Sequence, residues 1–312
     1  MRLLVTGASG FTGMALIRFL AHDKNVHITG ITRNLNPLFP TETGVKWVTA
    51  DILKYDRLCT LVASVQPDAI IHLAGLNHGS PTELFTMNIC GTQNLLKAVS
   101  VTNPECRVLV TSSSAVYGYQ GPSPLTEDSP VQPLSEYGVA KAAQEILSSM
   151  YYRAKGVNVT VARPFNLVGP GQTEAFVCGR IVRQVIECEQ GNRDAFDLVE
   201  TQSSRDFIDV RDVVKAYWAL VSHSGFTEDC TGNVFNIGSG RSYAISEVIA
   251  TLEKITGQNY PVRLPIDPPR IALLSQRSDI SRIHNVTGWK PEISLEKTLN
   301  DMIAADRARN TA

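Results

Sequence analysis

A glycine-rich turn near the N-terminus constrains this chain more than any other feature. Leu3-Leu4-Val5 is a short apolar run, and Thr6-Gly7-Ala8-Ser9-Gly10-Phe11-Thr12-Gly13 follows it directly. Residues 11–21 then carry apolar side chains at helical spacing. In such a strand–turn–helix unit Gly7 permits the tight turn, Gly10 lets a pyrophosphate approach the backbone, and Gly13 lets the helix pack closely on the strand. The helix N-terminus adds free N–H groups and a positive dipole end. The spacing is Gly-x-x-Gly-x-x-Gly, not the commoner Gly-x-Gly-x-x-Gly, because residue 8 is Ala. The physical requirement is the same, so residues 7–13 are expected to bind a dinucleotide through Gly7, Gly10, Phe11, Thr12 and Gly13.

The rest of the first half keeps alternating between the two periods. Strands are expected at 26–31, 46–50, 69–73, 107–111 and 157–162, and helices at 55–65, 83–101 and 135–154. This alternation predicts an α/β fold, a Rossmann-type doubly wound parallel sheet. The run 157–162, rich in Val, suits a strand buried on both faces. After Pro164 the pattern loosens. Gly169-Pro170-Gly171 signals a loop. Helices are expected at 173–189, 210–222, 246–256 and 295–305, and strands at 205–209 and 233–237. Pro261, Pro265, Pro268 and Pro269 mark an extended connection. The expected organisation is a dinucleotide-binding domain over 1–165, with 205–236 returning to it. Residues 166–204 and 237–312 then form a smaller mixed α/β substrate-binding lobe.

Composition excludes several classes. The 312 residues are 43% hydrophobic and 19% charged, which is enough to bury a core and excludes disorder as the main state. With 29 basic and 30 acidic residues, the chain lacks the net charge for a chain-wide grip on nucleic acid or an anionic membrane. No apolar run approaches the roughly 20 residues of a membrane span, and no signal peptide is read before Thr6-Gly7. The six cysteines have no Cys-x-x-Cys and no regular spacing. Together these features lead to the expectation of a cytoplasmic protein with reduced thiols. The six histidines form no His-x-x-x-His pair with a neighbouring Glu, so no metal is expected.

The second strand carries the clue to which dinucleotide. An acidic residue about 20 positions after the glycines would bond the ribose 2′-hydroxyl of NAD. Here that place holds Arg33, which suits the 2′-phosphate of NADP. NADP(H) is therefore the expected cofactor, with NAD(H) the alternative. Asp51 is a candidate acceptor for the adenine amino group, or else a helix cap.

Ser135-Glu136-Tyr137-Gly138-Val139-Ala140-Lys141 opens a helix, so Tyr137 and Lys141 share a face. A phenol has an ordinary pKa near 10. A nearby ammonium and an oxidised nicotinamide would lower it and let Tyr137 act as acid or base, while Lys141 holds the ribose hydroxyls. Ser112, Ser113 and Ser114 follow the strand 107–111, where ligands of open α/β sheets bind. One of them can orient a reacting oxygen, and others can satisfy loop backbone groups.

With these segments in order, the whole chain resembles the extended short-chain dehydrogenases/reductases that modify nucleotide sugars. The further matching residues are Asp51-Ile52, His72-Leu73-Ala74-Gly75, Asn88-Ile89-Cys90-Gly91-Thr92, Arg163-Pro164-Phe165-Asn166 and Arg205-Asp206-Phe207-Ile208-Asp209-Val210. The resemblance implies that Ser113, Tyr137 and Lys141 are catalytic. It implies cofactor contacts at Ile52, Leu73, Ala74, Gly75 and Pro164. It implies substrate contacts at Ser113, Asn166, Val177 and Arg205, with Arg205 on the diphosphate. Where related enzymes carry an Arg-Pro-x-acidic-apolar stretch, this chain departs with Asp267-Pro268-Pro269-Arg270-Ile271, and Arg270 is the candidate nucleotide contact there. A homodimer through the helices at 83–101 and 135–154 is a further family expectation.

Within this family, the dehydratases carry acid/base side chains just after the catalytic hydroxyl, where this chain has Ser114 and Ala115. The 4-epimerases resemble NAD binders, and Arg33 weighs against that. The run 163–172 with Phe176-Val177, and the run 205–212, look most like the GDP-4-keto-6-deoxy-D-mannose reductases. The leading expectation is NADPH-dependent reduction of a nucleotide-linked 4-keto-6-deoxyhexose at C4. A nucleotide-sugar 4-epimerase is the alternative, and a dehydratase is third.

Overall fold

The structure, a computed structural model, describes residues 1–34, 44–266 and 275–310. In chain order the elements are β1 (Arg2–Thr6), α1 (Phe11–Leu20), β2 (His27–Thr32), β3 (Lys46–Thr49), α2 (Tyr55–Val65), β4 (Ala69–His72), α3 (Pro81–Phe85), α4 (Gly91–Thr102), β5 (Arg107–Thr111), α5 (Glu136–Lys155), β6 (Val159–Pro164), β7 (Asn166–Val168) and α6 (Val177–Glu189). They continue with β8 (Phe196–Asp197), β9 (Ser204–Arg205), β10 (Phe207–Asp209), α7 (Val210–Ser222), β11 (Val234–Ile237), β12 (Tyr243–Ala244), α8 (Ile245–Thr256), β13 (Val262–Arg263), α9 (Ser281–Thr287) and α10 (Leu295–Asn310).

Seven strands form one parallel sheet in the order β11-β6-β5-β4-β1-β2-β3. This is the Rossmann-type doubly wound arrangement. Strand order reverses between β1 and β4, and the crevice outside their carboxyl ends is where such sheets bind ligands. β4 and β6 are buried along their whole length, so their apolar side chains fall on both faces and even His72, Thr160 and Arg163 are enclosed. Leu16, Ile17, Val213 and Tyr217 of α1 and α7 close one face. Leu58, Val62, Leu95 and Val99 of α2 and α4 close the other. Burying each such side chain contributes about 1.5–3 kcal/mol. A third core lies apart from the sheet, where α6, α8 and α10 pack around Phe196, which stacks on Tyr260 at 4.6 Å between ring centroids. Among the described residues no helix is long and apolar enough to cross a membrane.

The helix starts follow local chemistry. Ser80 and Glu83 form a capping box, with Pro81 at the first turn of α3. Ser135 caps α5 by accepting from the Gly138 amide, and Asp209 caps α7.

Several expected spans differ. The helix expected over 83–101 is two helices joined by a π turn over Thr86–Cys90. That turn swings Asn88 inward, where its Nδ2 donates to the Leu76 and Leu84 carbonyls at 2.8 and 2.9 Å. α6 begins at Val177 rather than 173, because residues 173–176 form a turn with the Phe176 amide bonded to the Thr173 carbonyl. The strand expected over 205–209 is split at Asp206, whose buried carboxylate faces other loops. β7, β8, β12, β13 and α9 have no counterpart among the expected elements.

Candidate active site

A cavity of about 680 Å³ opens at the carboxyl ends of β1, β4, β5 and β6. Gly7, Gly10, Phe11, Thr12 and Gly13 line one end of it. Gly7 has φ +67°, and a Cβ there would sit 2.8 Å from the Ala74 amide nitrogen. A Cβ on Gly13 would overlap the Gly7 carbonyl oxygen and lie 2.6 Å from that of Ala8. The Thr6 hydroxyl accepts the Ala74 amide at 3.1 Å, tying the β4 loop against the turn. Gly10 caps α1 without any side-chain bond, so the first-turn amides are left for an anion. A Cβ-free cradle with free amides at the switch point of the sheet fits a dinucleotide.

Leu73, Gly75, Ser113, Tyr137, Lys141 and Pro164 line the middle of the cavity. The serines are told apart by their partners. Ser112 donates to Glu145, and Ser114 lies 3.5 Å from Gln276 Oε1. Ser113 instead accepts the Ala115 amide at 3.1 Å, capping a short 3-10 turn. Its hydroxyl also hydrogen-bonds the Tyr137 phenol, so the two polar groups stand side by side in the cavity. Gly138 allows the first turn of α5 to press on this serine turn, since a Cβ there would lie 2.7 Å from the Ala115 carbonyl oxygen.

Lys141 donates to the Thr111 carbonyl at 2.9 Å and lies 5.7 Å from the Tyr137 ring centroid. Burial pushes its ammonium down to about 8, opposed by the charge of Glu145. Burial also pushes the Tyr137 phenol above its ordinary value, opposed by a hydrogen bond with Ser113. The lowering of Tyr137 expected from the Lys141 ammonium together with an oxidised nicotinamide belongs to the cofactor-bound state; here the ammonium donates to Thr111. At neutral pH the phenol keeps its proton.

Beneath the cavity runs a buried polar column. Thr92 donates to the Asn88 carbonyl at 2.6 Å, so toward His72 Nε2, 3.0 Å away, it can only accept. His72 therefore carries its proton on Nε2, and Nδ1 accepts from the Thr6 hydroxyl at 2.7 Å. Burial, with Lys141 nearby, pushes His72 down to about 3 and keeps it neutral.

Asn166, Val177 and Arg205 line the far end. Arg205 does not pair with Asp206 or Asp209. Asp206 accepts from Ser239, Gly240 and Ser278, and Asp209 pairs with Arg211 and Thr298. The Arg205 Nε is buried without a hydrogen-bond partner, and the uncapped N-terminus of α6 lies beside it. This end is built for an anion. Asn166 donates through Nδ2 to the Asp206 carbonyl at 3.1 Å.

Other expected residues lie outside the cavity wall. Arg33 is exposed at the end of β2, one residue from Thr32, whose hydroxyl meets Ser9 of the glycine turn at 3.1 Å. Asp51 accepts the Leu53 amide at 2.9 Å in a turn, and Lys54 rather than Asp51 is the cap residue of α2. Ile52 is buried against Gly91, and Ala74 packs behind the glycine turn. Arg270 lies outside the described residues. The sequence reading missed Gln276 and Phe176, which line the cavity, and Asn88, which holds the loop beneath it. Asn88 stood inside a quoted motif. Gln276 had no signal, because it reaches Ser114 across 162 positions.

A glycine cradle at the switch point, a Ser–Tyr–Lys cluster and an anion-binding end define a dinucleotide-dependent oxidoreductase of the extended short-chain dehydrogenase/reductase type. The chain belongs to the GDP-mannose 4,6 dehydratase family, which matches residues 4–302. It is similar to GDP-6-deoxy-D-mannose reductase of Pseudomonas aeruginosa, with 34% identity over 97% of this chain and 96% of that protein. It is also similar to UDP-glucose 4-epimerase of Mycolicibacterium smegmatis, with 30% identity over 95% of each. Among solved structures, RMD from Pseudomonas aeruginosa complexed with NADPH superposes with a TM-score of 0.83, at 32% identity over 99% of each chain.

Proposed function

We propose that this protein reduces a nucleotide-linked 4-keto-6-deoxyhexose at C4, with NADP(H) as the preferred cofactor and NAD(H) as an alternative. The observation that carries the reading is the Ser113–Tyr137 pair. It joins a serine hydroxyl, hydrogen-bonded to Tyr137, to a phenol that holds its proton at neutral pH. That is the state needed to receive a ketone and protonate it. Ser114 and Ala115 beside it supply no carboxylate for dehydration. The likeness to a GDP-6-deoxy-D-mannose reductase and to an NADPH complex supports the same direction.

When bound, the nicotinamide would supply hydride to C4. The glycine turn and the first-turn amides of α1 would hold the pyrophosphate, with the 2′-phosphate near Arg33 and the adenine near Asp51 and Ile52. Lys141 would hold the ribose hydroxyls, and Leu73, Gly75 and Pro164 would wall the ring, with Ala74 backing the glycine turn. Ser113 donates to the C4 oxygen and fixes its place. Tyr137 delivers the proton as that oxygen gains charge. Asn166, Val177 and Arg205 would grip the sugar nucleotide, Arg205 by its diphosphate. In this proposal the dinucleotide domain comprises 1–165 with 205–236, and the remainder forms the substrate lobe. A homodimer belongs to the same proposal, supported by exposed Val139 and Ile146 on α5.

A second reading, nucleotide-sugar 4-epimerisation, is favoured by the likeness to the UDP-glucose 4-epimerase. The test is NADPH absorbance with purified protein and GDP- or dTDP-linked 4-keto-6-deoxyhexoses. Stoichiometric oxidation of NADPH supports reduction and identifies the nucleotide. Interconversion of ordinary nucleotide hexoses without added cofactor supports epimerisation and overturns the proposal.

A further inference from the structure

We propose that Glu145 and Arg163 form a positioning pair that holds the serine turn, helix α5 and the end of β6 in one fixed relation. The inference rests on the catalytic reading of Ser113, Tyr137 and Lys141 above.

Neither side chain lines the cavity, and their side chains are only 9% and 5% exposed. Arg163 grips the carboxylate as a fork, with Nε to Oε1 at 2.8 Å and Nη2 to Oε2 at 2.7 Å. The Ser112 hydroxyl donates to the same Oε1. The remaining guanidinium nitrogen donates to the Tyr117 hydroxyl at 2.8 Å and the Glu127 carbonyl at 3.1 Å. Tyr117 in turn donates to Asn236 on β11 at 2.6 Å.

Each arm ends beside a cavity residue. Ser112 precedes Ser113, Glu145 stands one helical turn beyond Lys141, and Arg163 precedes Pro164. Three segments that border the active site are thus pinned to one carboxylate. Such a pair is a poor source of stability, since a buried ion pair replaced by apolar side chains often leaves a fold as stable or more so. What it supplies is direction. A planar fork and a hydroxyl allow few geometries, and a misplacement of about 1 Å at a reacting group costs on the order of 10²-fold in rate.

The pair also sets charge. The groups facing Lys141 are Tyr137 and Glu145 on its own helix and His72 on β4, with the Thr111 carbonyl of β5 accepting its proton. Glu145 supplies the negative charge among them.

The test uses the full chain and reads kcat, KM, NADPH affinity by fluorescence and the pH profile. Glu145→Gln keeps one acceptor but removes the charge. The expected result is a loss in kcat on the order of 10²-fold, with KM for the nucleotide sugar and NADPH affinity unchanged. The alkaline limb moves to lower pH, while Glu145→Asp restores that limb. Where Glu145→Gln fails to fold, the double variant Glu145→Leu with Arg163→Met removes both charges and decides. It is expected to fold and bind NADPH, yet to show the same loss in kcat. Wild-type kcat in the double variant, or in Glu145→Gln with an unmoved limb, overturns the proposal while leaving the catalytic reading intact. Full activity of Tyr137→Phe, measured alongside, overturns both.

Discussion

The Lys141 ammonium donates to the Thr111 carbonyl at 2.9 Å, joining helix α5 to the end of strand β5. The residue is only 6% exposed, and its charge is consequently easy to lose. Burial brings its pKa to about 8. In the reductive direction kcat/KM should fall as pH rises through about 8, where the ammonium becomes neutral. Lys141→Arg keeps its charge at every accessible pH, so its profile should lose that limb even as its kcat falls. An unchanged limb in Lys141→Arg would assign the titration to another group.

His72 makes a stability prediction. Its pKa drops from an ordinary 6.5 to about 3 in the folded chain. Between those values the unfolded chain binds a proton that the folded chain refuses. Stability is therefore lost as pH falls through that window, by at most about 1.4 kcal/mol per pH unit from this group. Urea unfolding of wild type and His72→Gln from pH 7 to 4 checks it. The wild type should lose stability more steeply. Parallel curves would contradict the neutral, Nε2-protonated ring.

Arg205 sits with a buried unpaired Nε at the anion end of the cavity. Arg205→Met should raise KM for the nucleotide sugar about 10–100-fold, equivalent to about 1.4–2.8 kcal/mol of lost charge-assisted hydrogen bonding. NADPH affinity should stay at the wild-type value, because the glycine turn lies at the other end. Steady-state kinetics and fluorescence titration separate the two effects. Equal loss of both affinities would point to a folding defect.

Gly13 has no room for a side chain, since a Cβ would lie 2.6 Å from the Ala8 carbonyl oxygen. Gly13→Ala should force α1 away from β1, at a cost of about 1–3 kcal/mol in stability. NADPH binding should weaken in the same variant, as read by thermal unfolding with and without the dinucleotide.

Much of this arrangement was legible in residue order. The glycine turn can serve few other conformations, and β4 and β6 read as strands because both their faces are covered. Tyr137 and Lys141 fall on one helix face by spacing alone. The illegible parts depend on distant partners. Arg205 is free only because Asp206 is claimed by Ser239, Gly240 and Ser278, up to 72 positions away. The π turn that aims Asn88 at the loop after β4 has no periodicity distinct from the helices on either side. Glu145 reads as an ordinary helix charge until Arg163 is brought against it. Arg270 remains a sequence expectation.

Reduction at C4 has one direct signature. Incubate the protein with NADPH deuterated at the transferred position and a GDP-linked 4-keto-6-deoxyhexose, then read the product by NMR. One deuterium at C4 is expected for each NADPH oxidised, and none with Tyr137→Phe. Sugar interconversion with no deuterium incorporated and no NADPH consumed would contradict reduction at C4.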